Sequence, residues 1–122
     1  MILSPVTVLV VEDEPLLCDL MVEELEGLGY GVLRARTAQE ALDIIEGDAP
    51  VDVLFTDIRL PGPLDGWELA LRFRKRNPRG PVIYTTAYSG SPARPVAQSA
   101  FMAKPYRLAA VVAEIRRLSG PA

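Results

Sequence analysis

Short runs of aliphatic and β-branched residues alternate with longer amphipathic stretches along nearly the whole chain, and this rhythm restricts the fold more than any other feature. Parallel strands need a crossover of a dozen or more residues between them, and a helical crossover covers a face of the sheet. Strand-sized runs at residues 6–11, 31–35, 53–56, 82–86 and 100–103 leave room for such a crossover each time. The pattern is that of an α/β, doubly wound, five-stranded parallel sheet. With 122 residues, 49% of them apolar, residues 1–122 make one domain with its core over about 5–119.

The intervening segments carry helix signals. The first opens at Pro15, places Leu17, Met21, Leu25 and Leu28 on one face and stops at Gly29. The second begins with Thr37 and Glu40 in the spacing of a capping box and buries Ala41, Leu42 and Ile45. The third begins near Asp65, contains Trp67, Leu69, Ala70, Leu71 and Phe73, and is over by Asn77-Pro78. The last runs from about Arg107 to Leu118. The stretch YSGSPARPVAQ, residues 88–98, is the exception. Its glycine and two prolines predict a loop with one short turn after Pro95, so a fourth helix is short or irregular.

Composition removes several function classes. The absence of histidine excludes a histidine nucleophile, a histidine base and the usual zinc sites. A net charge of −3 gives no ground for a nucleic-acid or membrane surface. The basic run Arg72, Arg74, Lys75, Arg76, Arg79 falls in the last turns of a helix and reads as a solvated helix end. The single cysteine, Cys18, lies in an apolar helical stretch and reads as a packing residue. The N-terminal apolar run is short and cut off by Glu12, Asp13 and Glu14, which argues against a leader or a membrane span and for a cytoplasmic protein.

Ligands of open α/β sheets bind outside the carboxyl ends of the strands, where strand order reverses. Those ends carry Glu12 and Asp13, then Asp57, Thr86 and Lys104. Two carboxylates about 4 Å apart repel by about 4 kcal/mol at an effective dielectric of about 20, a cost that a divalent cation relieves. Oxygen ligands without His or Cys suit Mg²⁺. One carboxylate can then serve as nucleophile towards a phosphoryl group, with an ammonium and a hydroxyl to complement its oxygens. Thr85 is the rival of Thr86 for the hydroxyl, and strand register favours Thr86.

VLVVEDE, FTDIRLPG with the following DG, YTTA and AKPY occur in the order and spacing of response-regulator receiver domains of two-component signalling, and the chain resembles that family over essentially its whole length. The resemblance implies a flavodoxin-like (βα)5 fold with strand order 2-1-3-4-5. It implies phosphorylation of Asp57, Mg²⁺ held by Asp13, Asp57, the backbone carbonyl of Arg59 and, through water, Glu12, and contact of Thr86 and Lys104 with the phosphoryl oxygens. It also implies a switch role for Thr86 and Phe101, a cis peptide at Lys104-Pro105, and Arg59 and Tyr88 as flanking modulators of phosphate lifetime. As an alternative, Phe101 is simply a core residue.

The expected function is that of a stand-alone response regulator, phosphorylated by a sensor histidine kinase or histidine phosphotransfer protein and acting on a downstream protein, with no turnover substrate and no nucleic-acid or membrane partner. The alternatives are a phosphate-independent scaffold and, against the Arg at position 59 where a second Asp would be needed, an aspartyl-phosphate phosphatase. Two departures bear on output: a residue near Pro63 lengthens the loop before Asp65-Gly66, and a reduced fourth helix alters the face that receivers use with the fifth strand and fifth helix.

Overall fold

A computed structural model of the chain describes residues 6–86 and 94–119. Within them, β1 (Thr7–Val11), α1 (Pro15–Gly27), β2 (Gly31–Ala35), α2 (Ala38–Glu46), β3 (Val53–Asp57), α3 (Gly66–Arg76), β4 (Val82–Thr86), β5 (Ser99–Ala103) and α4 (Leu108–Ser119) follow in order. All neighbouring strands are parallel and the sheet order is β2-β1-β3-β4-β5. The chain steps from β1 outward to β2 and then back across β1 to β3. Because crossovers are right-handed, that reversal sends α1 to one face and α2 and α3 to the other. Helices α2 and α3 cover one face and α1 and α4 the other.

Side-chain alternation along the strands feeds both layers. Leu9, Val11, Leu54, Val82 and Tyr84 pack towards α2 and α3. Val8, Val10, Val53, Phe55 and Ile83 pack towards α1 and α4. Every residue of β3 and β4 is buried, which explains why these strands read as unbroken apolar runs. The edge strand β5 is buried only at Ala100.

Helix ends follow local chemistry. Pro15 opens α1, and the chain leaves it through Gly29 at φ 95°, a conformation that glycine adopts without strain. The Thr37 hydroxyl accepts the Glu40 amide at 3.1 Å, while the Glu40 carboxylate takes the Arg36 amide. Asp65 caps α3 by accepting the Glu68 amide at 2.9 Å. No helix among the described residues is long and apolar enough to cross a membrane.

Two details differ from the sequence reading and one adds to it. The buried stripe of α1 is Cys18, Met21 and Leu25; Leu28 is exposed and Leu17 only half-buried, because the helix is rotated to bring Cys18 to the core. Leu71 lies within α3 but faces outward. The basic end of α3 is also not merely solvated. Arg76 donates to the carbonyls of Glu46 and Gly47 at the end of α2, and Arg74 to those of Gly80, Ala97 and Gln98 at 2.7, 2.7 and 2.9 Å.

Arg74 thereby secures the return to β5. Residues 94–98 of that return form no helix, in line with the loop read from the prolines, and they lie against α3. The Tyr84 hydroxyl accepts the Val96 amide at 3.0 Å, and Arg94 pairs with Asp65. Tyr88 and the rest of the fourth crossover, residues 87–93, lie outside the described residues.

Gly66 sets how closely α3 approaches the end of β3. Its amide donates to the Ile58 carbonyl at 2.7 Å, and a Cβ there would stand 2.4 Å from the Asp57 carbonyl oxygen and 2.8 Å from the Ile58 Cα. Gly66→Ala must therefore push α3 off the β3 terminus. Urea unfolding is expected to show a loss of about 1 to 3 kcal/mol, the usual range for overpacking, with an unchanged denaturant slope.

Candidate phosphoacceptor site

Asp57 closes β3, and the hydrogen-bonded neighbours of that strand are β1 and β4. Glu12 directly follows β1 and is held by two hydrogen bonds: its amide donates to the Ala35 carbonyl at 3.0 Å, and its carboxylate accepts the Glu14 amide at 3.1 Å. Asp13 follows at the surface. Oxygen atoms of Glu12, Asp13 and Asp57 all lie within 4.8 Å of one another. The order reversal of the sheet lies between β1 and β3, so the cluster occupies the crevice expected of an open α/β sheet.

Lys104 binds the inner two acids together. Its Nζ is 2.9 Å from Glu12 Oε1 and 2.9 Å from Asp57 Oδ2. The Lys104 amide donates to the Thr86 carbonyl at 2.8 Å, which anchors the residue to β4, and the Lys104-Pro105 peptide is cis. Glu12 and Asp57 are 2% and 7% exposed, and only the outer acid, Asp13, faces solvent.

The electrostatics follow from this burial. Desolvation pushes the Glu12 carboxyl above its usual range, against the opposing pull of the Lys104 ammonium. Desolvation alone would lower the Lys104 pKa, but its hydrogen bonds to Asp57 and Glu12 together outweigh it and the group is raised well above its ordinary value. Lys104 is therefore a fixed cation. Three carboxylates and one ammonium leave two negative charges uncompensated when all are ionised. At 4.8 Å and an effective dielectric of about 20, each remaining like-charge pair costs about 3.5 kcal/mol. The donor set of carboxylate oxygens, with neither sulfur nor imidazole, fits a hard divalent ion such as Mg²⁺.

The other residues singled out in the sequence sit around this centre. Thr86 is buried at the end of β4, in register with Ala103 just before Lys104, while Thr85 lies in register with Asp57. Arg59 is exposed on the rim, two residues after Asp57. Phe101 is 51% exposed, so it is not a core residue. Its ring stacks on Trp67 with centroids 6.3 Å apart, and Trp67 packs on Tyr84 at 4.6 Å. That ladder was not foreseen in the sequence, since nothing local relates position 67 to 84 or 101. Nor does any local signal single out Tyr106. Its ring meets Phe55 edge-on at 5.6 Å, beneath the acids, and burial followed by the charge of Glu12 pushes its hydroxyl up to about 12.

Comparison with known proteins agrees with this geometry. Residues 8–116 match the response regulator receiver domain model. The chain is 35% identical over 119 residues to the transcriptional regulatory protein TrcR of Mycobacterium tuberculosis, covering 94% of this chain and 46% of that protein. It is 31% identical to the response regulator MprA of Mycolicibacterium vanbaalenii, over 93% of this chain and 50% of MprA. The chain thus spans about half the length of the curated relatives it matches.

Among solved structures, a response regulator receiver protein from Sinorhizobium medicae superimposes with a TM-score of 0.87 at 26% identity, covering 95% of each chain. The receiver domain of the sensor histidine kinase PA1611 of Pseudomonas aeruginosa, with magnesium coordinated in its active-site cleft, superimposes with a TM-score of 0.80 at 26% identity, covering 97% of this chain and 100% of that one. The four strand-end motifs, the sheet order and the family match over residues 8–116 lead to one conclusion: the chain belongs to the response regulator receiver domain family.

Proposed function

We propose that Asp57 accepts a phosphoryl group from a phosphohistidine of a sensor histidine kinase or histidine phosphotransfer protein, in a Mg²⁺-dependent reaction. The observation that carries this reading is the convergence of Glu12, Asp13, Asp57 and Lys104 on one crevice. Receiver domains bind Mg²⁺ at an acidic site, and the acids here fit it by donor type and by charge. Asp13, Asp57, the Arg59 backbone carbonyl and, through water, Glu12 would hold the ion. When bound it supplies positive charge to the crowded carboxylates and to the oxygens of an incoming phosphoryl group.

The rest of the chemistry belongs to the chain. A carboxylate oxygen of Asp57 forms a bond to phosphorus as the P–N bond to the donor imidazole breaks, and the electron pair of that bond stays on the imidazole nitrogen. The product is an acyl phosphate. Lys104, already within 2.9 Å of Asp57, is placed to neutralise charge on the transferred group. The Thr86 hydroxyl is the complementary donor from β4. The domain performs single turnovers on itself, forming and losing the phosphate, and is not an enzyme with a free substrate. Readout is a population shift at Thr86 and Phe101, on the face where the Tyr84–Trp67–Phe101 ladder meets residues 94–98.

Intact mass after incubation with acetyl phosphate and Mg²⁺ is expected to show one added phosphoryl group on the parent and none on Asp57→Asn or on the parent with EDTA. An unmodified parent would favour a phosphate-independent scaffold, and steady hydrolysis of a generic phosphate ester an aspartyl-phosphate phosphatase. Lys104→Met leaves two buried acids without their cation. Because Lys104 keeps 18% side-chain exposure, the expected stability loss in EDTA is about 2 kcal/mol, below the 3–5 of a fully buried pair, and Mg²⁺ recovers part of it. Phosphoryl uptake should fall about 100-fold; equal rates in the two proteins would remove the role given to Lys104. Arg59 stands on the water-facing rim, so Arg59→Ala is expected to shorten the half-life of the phosphorylated domain, measured by loss of the added mass with time.

A further inference from the structure

Two interior hydroxyls, Thr85 Oγ1 and Tyr106 Oη, are closed to solvent and have no hydrogen-bond partner among the described residues. Thr85 is fully buried. Native interiors hold few such groups, and each calls for an unseen partner. These two share one side of one sheet. Alternation along β4 puts Thr85 on the face of Ile83, against α1 and α4. Tyr106 packs into the same layer, its ring edge-on to Phe55 at 5.6 Å. Phe55 is in register with Ile83, and Asp57 with Thr85, so Thr85 stands beside Asp57 while the Tyr106 ring packs on Phe55, two residues earlier on the same strand.

Val and Phe would fill the same space with no polar atom to satisfy, so both hydroxyls carry a cost that a plain apolar layer avoids. Each can donate one hydrogen bond and accept others. The Tyr106 phenol, held up at about 12, stays a donor throughout the neutral range. A water between them takes one bond from each side, which is the ordinary occupant of a small polar space in an interior.

We propose that one buried water bridges Thr85 Oγ1 and Tyr106 Oη, tying the end of β4 to the turn that carries Lys104, and that this tie helps to set the ammonium against Asp57. Tyr106 is then a positioning residue, two places beyond Lys104, and Thr85 a second functional hydroxyl beside Thr86 with a different task. The positioning part rests on the reading of Asp57 as phosphoacceptor; the bridge itself does not.

The test uses the full chain with Tyr106→Phe, Thr85→Val and the double variant. Each single change is expected to raise the unfolding equilibrium constant about fivefold, because it strands the opposite hydroxyl, while the double change raises it no further than the larger single. Effects that multiply, or singles that leave stability unchanged, overturn the bridge. Proton NMR of the parent should show slowly exchanging Thr85 and Tyr106 hydroxyl protons with cross-peaks to a water resonance, lost in either single variant; their absence in the parent overturns it too. At saturating acetyl phosphate, Tyr106→Phe is expected to lower the rate constant of phosphoryl uptake about tenfold with the half-saturating Mg²⁺ concentration unchanged. An equal rate constant overturns the positioning role. A parent that takes up no phosphate refutes the phosphoacceptor reading instead, and the bridge is then decided by the cycle and the spectra.

Discussion

The ammonium of Lys104, shared at 2.9 Å each between Glu12 and Asp57, is the contact on which the rest of this domain turns. Burying two carboxylates side by side is unfavourable, and a single buried cation offsets it only where geometry is fixed from several directions. The fold provides those directions. Glu12 is pinned by a backbone bond to the β2 end, Asp57 by its place in the fully buried β3, and Lys104 by its amide on β4. Four strands and the turn after the fifth must therefore be in place before the charges can meet. The residual negative charge left at that point suits the crevice to a hard cation.

Fixing Lys104 requires fixing β5, an edge strand with little buried surface of its own. Beyond its ladder to β4, it is anchored by polar contacts at its entry. Arg74 reaches from α3 to the carbonyls of Ala97 and Gln98, Tyr84 receives the Val96 amide, and Arg94 reaches Asp65 at the head of α3. Asp65 follows the loop that leaves Asp57, while Phe101 on β5 stacks against Trp67 of α3. The loop after Asp57 and the exposed ring of Phe101 thus belong to one packed unit.

Local signals were sufficient for most of the fold. Five apolar runs of strand length, Pro15 and Gly29 around α1, Thr37 before α2 and Asp65 before α3 each act within a few residues, and each occurs where the sequence placed it. Periodicity does not fix the face of α1, because Leu17 and Leu28 satisfy a helical period as well as Cys18 does. Only the angle at which the helix meets the sheet distinguishes them. The tasks of Arg74 and Arg76 were hidden for a similar reason: a cation near a helix end has a sufficient local explanation, and the carbonyls these two reach lie 6 to 30 residues away in the chain.

By itself the sequence determined the alternation of strands and crossovers and which chemical groups stand at the strand ends, because both depend on residue type and short-range spacing. It also carried the four motifs whose common order names the family. Tertiary structure decided how those groups pair: that Lys104 meets Glu12 as well as Asp57, that Thr85 faces the layer of Tyr106, and that Trp67 lies between Tyr84 and Phe101. Such contacts depend on sheet register and on helix rotation, which arise only when both faces of the sheet are packed at once, so no local stretch of chain encodes them.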